Sequence, residues 1–366
     1  MSLPDVIVVG AGIVGAACAR ELAASGLRVT VVEAGVVGGG ATAAGMGHLA
    51  VMDDSDAQFA LTAYSQSLWR ELAAELPKEA EYLPCGSLWI AAEDEEMAEV
   101  YRKERYYCGR GIPVEVLDAK QLAEAEPNLR PDMAGGLILH ADAVCYPPCA
   151  AKHLVERSGA ELMQGREVVS VDDSGVRLDD NTRLAAGAVL LATGAAVTDL
   201  LPALPVAPRK GHLLITDRYP GFVRHQIIEL GYLKSAHSTP SDSVAFNVQP
   251  RRTGQVLIGS SRQYGVTDGA VESEMLSRML RRAIGYMPGL AALSSIRAWT
   301  GFRAATPDKL PLIGRAPGFR NVLLATGHEG LGISTSLATA RLIGDELLNR
   351  PSAISRQPYD PARAWC

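Results

Sequence analysis

A chain of 366 residues, 48% hydrophobic and 21% charged, has an ordinary globular balance and is long enough for two joined lobes around a large core. Its formal net charge of -6 gives nucleic acid or anionic lipid no electrostatic reason to be the partner. The six cysteines are scattered without a C-x-x-C pair, so no metal site is expected, and no apolar run is long enough to cross a bilayer. The N-terminus runs almost directly into a strand pattern, so no secretory leader is expected and the thiols read as free in a reducing cytoplasm.

The stretch 5–34 organises the rest. Val6 to Val9 is a short apolar run, mostly β-branched, which suits a buried parallel strand. Gly10 permits a tight turn, Gly12 lets a pyrophosphate approach the backbone, and Gly15 lets the following helix pack closely on the sheet. Residues 16–24 are rich in helix formers and Ser25-Gly26 closes them. A second strand, 27–32, ends in Glu33, whose carboxylate suits both hydroxyls of an unphosphorylated adenosine ribose. The unit therefore predicts FAD or NAD and does not choose between them.

The run 38–48 is small and glycine-rich, too flexible to be held by its own packing, and reads as a loop with a second nest of backbone N–H groups or as a plain surface loop. Helical spacing follows over 58–76, then a strand over 83–92, a charged amphipathic helix over 93–108, a helix over 118–125 and a short strand over 135–139. Pro147-Pro148 opens a helix to Ser158. The runs 161–172 and 175–178 read as paired strands, and 184–194 as a buried strand ending in Ala192-Thr193-Gly194, which offers backbone to a dinucleotide. Strands are expected from Arg209 to Asp217 and as a hairpin at 244–248 and 255–260, followed by a helix at 273–285 and strands at 297–303 and 321–325. After the last strand the glycine-rich turn from Gly327 to Gly332 aims the N-terminus of a helix, 333–348, inward, where its unpaired N–H groups favour negative charge such as that of a reduced flavin.

With those pieces in order, the chain resembles the superfamily of FAD enzymes that contains glycine oxidase and D-amino acid oxidase. The resemblance runs essentially full length. It rests on Gly10, Gly12, Gly15 and Glu33, on Thr42-Ala43-Ala44-Gly45, and on Ala192-Thr193-Gly194. It rests also on Trp299-Thr300-Gly301-Phe302-Arg303, Pro311-Leu312-Ile313-Gly314-Arg315, and the turn from Gly327 to Ile333. It implies a two-lobe α/β fold, a Rossmann-like FAD-binding domain (1–80, 145–205 and 297–366) interleaved with a mixed β-sheet substrate domain (81–144 and 206–296). FAD contacts are implied at Gly10, Gly12, Ile13, Val14, Gly15, Glu33 and Ala34, and at Thr42, Ala43, Gly45, Met46 and Gly47. They are implied also at Val168, Thr193, Gly194, Gly301, Gly327, His328, Gly330, Leu331, Gly332 and Ile333.

In that family the arginine matching Arg303 binds the substrate carboxylate, a role suited to a two-pronged guanidinium. His48 is expected in the catalytic site beside the flavin ring, with covalent flavin attachment and simple packing as the alternatives. Tyr232, His237 and Tyr264 are candidate pocket residues, with ordinary core or surface placement as the alternative. Two departures stand out: glycine oxidase has an arginine at the place of Gly330 and an aromatic near Asn247. The turn Gly327-His328-Glu329-Gly330-Leu331-Gly332-Ile333 and the run from Gly47 to Ser55 look more like the β subunits of D-hydroxyproline dehydrogenase, opine-oxidising enzymes and hydrogen cyanide synthase.

The resemblance thus implies oxidation at the C–N bond of an amino acid or secondary amine (D-proline-like or N-substituted glycine), with hydride passing from Cα to flavin N5. Electrons would go to partner subunits, a quinone or oxygen. A glycine or sarcosine oxidase, and a redox subunit of a heteromeric opine dehydrogenase, are the alternatives. The expected location is the cytoplasm, or the inner face of the membrane as a peripheral protein.

Overall fold

The computed structural model describes residues 3–230 and 242–365. Two sheets dominate it. The six-stranded sheet runs in the order Leu312–Arg315, Val322–Thr326, Ala188–Leu191, Val6–Val9, Val29–Glu33, Glu161–Gln164. All neighbours are parallel except the first pair. Its middle strands are buried on both faces, which accounts for their continuous apolar sequences. Helices Ile13–Ala24, Pro147–Ser158 and Gly332–Leu347 cover one face, and a three-stranded antiparallel sheet (Val168–Asp172, Gly175–Leu178, Arg183–Ala185) covers the other.

The eight-stranded sheet runs Ser295–Ala305, Ala207–Arg218, Gln255–Arg262, Ser243–Pro250, Gln226–Glu229, Ser87–Ala91, Gly135–Leu139, Glu115–Asp118. One face packs on helix Ser273–Tyr286, the other partly on helix Asp94–Cys108. The expected division at 297 cuts through Ser295–Ala305, which is paired along its length with Ala207–Arg218 of this sheet.

Several local expectations are corrected. The run 161–172 is two strands in different sheets: Glu161–Gln164 pairs parallel with Val29–Glu33, whereas Val168–Asp172 pairs with Gly175–Leu178. The expected strand 184–194 is likewise broken into Arg183–Ala185 and Ala188–Leu191, and Thr193 and Gly194 lie in the turn beyond it. The small-residue run 38–48 is not a bare loop. It holds the short helix Gly40–Ala44, and His48–Leu49 pairs with Ala143–Val144. The helix expected at 58–76 is Asp56–Leu72, because Ser55 caps it by accepting the Gln58 N–H at 3.1 Å. Glu115–Asp118, too short to show an alternating pattern, was not anticipated as a strand.

The segment 50–54 leads from the six-stranded sheet toward the second lobe and is fixed by buried polar groups. Lys103, 1% exposed, pairs with Asp53 at 2.5 Å, and the Tyr107 hydroxyl donates to the Val51 carbonyl at 3.0 Å. The Val51 N–H and the Gln66 amide both donate to Asp142 Oδ1, at 3.2 and 2.5 Å. Burial raises the Asp142 carboxyl to about 7, although these donors favour its charged form.

In the unfolded chain the Asp142 carboxyl ionises near 4, so folding is penalised increasingly from about pH 4 up to about pH 7, by at most ~1.4 kcal/mol per pH unit. Asp142→Asn keeps the accepting oxygen and abolishes that penalty. Urea midpoints of variant and parent should therefore coincide near pH 3, below both pKa values, with the variant the more stable by a few kcal/mol, to order of magnitude, at pH 8. An equal difference at both pH values would contradict the assignment.

Candidate functional site

The two sheets enclose one long cavity of about 950 Å³. That lies at the upper end of ordinary ligand sites, roughly 300–1,000 Å³. At one end it is built from the first strand–turn–helix unit. Gly10 turns the chain at φ +97°, and a Cβ there would sit 2.7 Å from the Ala192 carbonyl oxygen. Gly15 packs so tightly that a Cβ would lie 2.0 Å from the Gly10 oxygen. Gly15 therefore sits behind the lining and supports it. No side chain caps the helix that Gly12 begins, and the Ile13 N–H donates to Thr42 Oγ1 at 3.0 Å. The Glu33 carboxylate is held at the strand end by the N–H groups of Ala11 (2.6 Å) and Gly35 (2.7 Å), with its remaining lone pairs toward the cavity it lines. Thr193 Oγ1 is buried on the same wall with no partner among the described residues. A helix N-terminus with only its first N–H taken by the Thr42 hydroxyl, a fixed carboxylate and a buried hydroxyl without a partner among the described residues fit the pyrophosphate and ribose of a dinucleotide.

The middle of the cavity is lined by the residues before and inside helix Gly332–Leu347. Gly327, His328, Gly330, Leu331, Gly332 and Ile333 all face it, and no side chain caps this helix either. Ser334 ties the helix to the opposite wall: its hydroxyl donates to the His48 carbonyl at 2.8 Å and accepts the Ala50 N–H at 3.2 Å. Burial pushes His328 down to about 3, and its Nε2 lies 3.0 Å from Thr339 Oγ1. His48 is pushed down to about 4 by burial and then by the charge of Arg303. Both imidazoles are neutral at physiological pH.

The remaining expected positions, Ile13, Val14, Ala34, Thr42, Gly45, Met46, Gly47, Val168, Gly194 and Gly301, also line this cavity, and Ala43 does not. Tyr264 lies off the lining and is 45% exposed, with its hydroxyl 3.4 Å from Arg209 Nη1. Tyr232 and His237 fall outside the described residues.

The far end carries groups that the motifs did not single out. Arg209 and Arg303 are directly opposite on paired strands, and Arg209, Arg262 and Arg303 all line the cavity. Arg209 forms an ion pair with Glu329, which stands on the turn before the last helix at φ +51°. Arg303 lies across the strand between: its Nη1 donates to the Ser261 carbonyl at 3.0 Å. It crosses at Gly211, where a Cβ would stand 2.4 Å from that same nitrogen. Burial, then Arg209, lowers Arg303 to about 10, and burial with both neighbours lowers Arg262 to about 9. All three guanidiniums stay charged at neutral pH. Gln226 and Asn247 Oδ1 add buried amide atoms, on the same lining, without partners among the described residues. Strand alternation was the available signal, because 209, 211 and 213 share one face.

A family model described as FAD dependent oxidoreductase, DAO, matches residues 5–346. Glycine oxidase of Pseudomonas aeruginosa is 30% identical over 380 aligned positions, covering 98% of this chain and 98% of that protein. Hydrogen cyanide synthase subunit HcnC of the same organism is 27% identical, covering 94% and 93%. The crystal structure of glycine oxidase from Geobacillus kaustophilus matches with a TM-score of 0.88 at 28% identity, over 99% of each chain.

Gly211→Ala tests the crossing. The clashing atom is the end of a flexible side chain, so the variant should fold with stability within about 1 kcal/mol of the parent. Its crystal structure should show the Arg303 guanidinium moved off the Ser261 carbonyl. An unmoved guanidinium would refute the account.

Proposed function

The chain belongs to the DAO family of FAD dependent oxidoreductases, and from that premise we propose that it oxidises the bond between nitrogen and its neighbouring carbon in an amino acid or secondary amine, with Arg303 gripping the substrate's acid group. The carrying observation is a charged, half-buried guanidinium that faces the cavity and donates to a neutral carbonyl, that of Ser261. In this reading the six-stranded sheet and its two uncapped helix ends hold the dinucleotide. The eight-stranded sheet supplies the substrate pocket. When bound, FAD supplies the acceptor for the hydrogen and electron pair that leave the carbon.

The residues of the chain orient and select. Arg303 offers two parallel N–H donors to a carboxylate and so fixes the direction of the adjacent C–H bond. Asn247 Oδ1, a buried acceptor without a partner among the described residues, suits an amine N–H. Met46, Leu213, Trp89 and Phe246 line the same space and exclude water. His48 stands within the field of Arg303 and resists protonation, so it lines the pocket as a neutral ring. The amine must arrive with its lone pair free, and the positive field of Arg303 favours the neutral amine over the ammonium form.

A second reading, that the chain passes electrons to a partner subunit or quinone, is supported by the likeness to a protein named as a subunit. Comparing oxygen with an artificial dye as acceptor for the purified chain separates the two.

Arg303→Ala should retain its yellow FAD absorbance and lose roughly 30- to 1,000-fold in kcat/KM for amino acids, the equivalent of ~2–4 kcal/mol. Unchanged turnover would remove Arg303 from the role. The rising limb of the kcat/KM pH profile should follow the substrate amine and shift when a less basic amine is used. A limb fixed near 6.5 whatever the substrate would point to a protein histidine instead.

A further inference from the structure

We propose that Asp142, buried behind the cavity wall, takes the nitrogen proton of the oxidised substrate along a row of buried polar side chains, Gln226 and Ser87. This rests on the amine-oxidation reading above and adds a proton path to it.

When hydride leaves the carbon of a neutral secondary amine for FAD, the nitrogen lone pair closes the C=N bond and the nitrogen keeps its hydrogen. The product is therefore an iminium cation. Arg303 lines the same cavity, so that cation stands in a field of like sign and its N–H becomes more acidic. His48 and His328 are pushed down by burial and do not take up a proton near neutrality. Glu329 is tied to Arg209.

Ser87 and Gln226 stand directly opposite each other on the parallel strands Ser87–Ala91 and Gln226–Glu229, so their side chains share a face. It is the cavity face, because Trp89 and Ile228, two residues further along each strand, line the cavity, as does Gln226 itself. Gln226 is fully buried, and neither its Oε1 nor its Nε2 has a partner among the described residues. The same holds for Ser87 Oγ and for Asp142 Oδ2. Asp142 adjoins the row: its carbonyl accepts the Gly86 N–H at 3.0 Å, and the Ser87 hydroxyl, short of hydrogen-bond geometry, is near enough to favour the charged carboxylate. Unpartnered buried polar atoms in succession are sites for ordered water, and with such water this row connects the cavity to the carboxylate.

The groups packed around Asp142 do not compete with it. Burial pushes the Tyr107 and Tyr82 hydroxyls up, and the Cys85 thiol up to about 11. Asp53 is paired with Lys103, and Glu126 with His225. Gln66 and the Val51 N–H occupy Asp142 Oδ1, which leaves Oδ2 to take the proton. The N–H bond of the iminium breaks with its electron pair left on nitrogen, an O–H bond forms at Oδ2, and a neutral imine departs. The proton then returns along the row to water in the cavity. An asparagine would keep both bonds at Oδ1 without the folding penalty that the buried carboxyl carries at neutral pH, so a purely structural role gives no reason for an acid here.

The test uses the FAD-loaded chain with sarcosine and D-proline, and an artificial dye for steady-state rates. In a single anaerobic turnover Asp142→Asn should reduce its flavin at the parent's rate, because hydride transfer precedes the proton step. Its kcat should fall roughly 100-fold, the lower end of what a positioned proton acceptor contributes, with KM falling in step so that kcat/KM holds. The kcat of the parent should decline as pH drops through about 7, and that limb should vanish in the variant. Infrared difference spectra after the single turnover should show the carbonyl stretch of a protonated carboxyl in the parent and not in Asp142→Asn. Gln226→Met should reproduce the loss in kcat while the Asp142 carboxyl still titrates in the FAD-free chain. An unchanged kcat in either variant, a missing carboxyl band in the parent, or slowed flavin reduction in Asp142→Asn, the mark of a merely structural role, would overturn the proposal while leaving amine oxidation standing. Flavin reduced by neither amine would overturn both.

Discussion

Close contact between the eight-stranded sheet and the short helix Gly40–Ala44, made at Gly301, is the constraint on which the cavity depends. A Cβ at that position would sit 2.3 Å from the Ala44 Cβ, so the long strand Ser295–Ala305 can press on the short helix Gly40–Ala44 only without a side chain there. The indole N–H of Trp299 donates to the Ala44 carbonyl at 3.4 Å beside it. This contact brings the strand that carries Arg303 against the segment that continues to His48. The elements that face the dinucleotide end and those that face the guanidiniums therefore share one enclosure. Removing either neighbour would separate the two ends of the cavity, whatever the quality of each alone.

The dinucleotide end was legible because its determinants are local. Gly10, Gly12, Gly15 and Glu33 lie within one strand–turn–helix–strand unit, and each glycine has a steric reason visible in the spacing alone. The same holds for the Gly327 to Ile333 turn. The guanidinium end was legible only at Arg303, through its motif. Arg209, Gly211 and Arg262 come together through sheet pairing between segments some fifty to ninety residues apart, which no short window reports. The run 38–48 misled for a different reason. The flanking glycines lower intrinsic order, but Ala41, Ala43 and Ala44 favour a helical turn, and Thr42 accepting the Ile13 N–H and Gly45 fitting under Ile333 fix it in place. The 161–172 run misled because two short strands in succession look like one long strand until their partners are known.

Electrostatically the far end of the cavity is simple. Its histidine is neutral, and its acids are either tied to a guanidinium, as Glu329 is, or exposed, as Asp54 is. What remains is positive charge in a partly desolvated space. Among the described residues, such a pocket has no group poised near neutrality to trade protons with a substrate. It acts on acidity instead through its field, favouring anions and neutral amines over ammonium ions. On the proposed reading, selection and activation come from the same charges: the group proposed to hold the acid would also keep the nitrogen lone pair available.

That coupling explains why guanidinium, and not ammonium, occupies these positions. A lysine at 303 or 262 would lose its proton more readily under the same crowding, since burial and like charge both lower its basicity, and the field would weaken where it is needed. Arginine keeps its charge when pushed to about 9 or 10, so the fold can place like charges side by side and retain them. The repulsion that results is held by backbone geometry: Arg303 is anchored on the Ser261 carbonyl, Arg209 on Glu329, and the opening at Gly211 fixes the path between them.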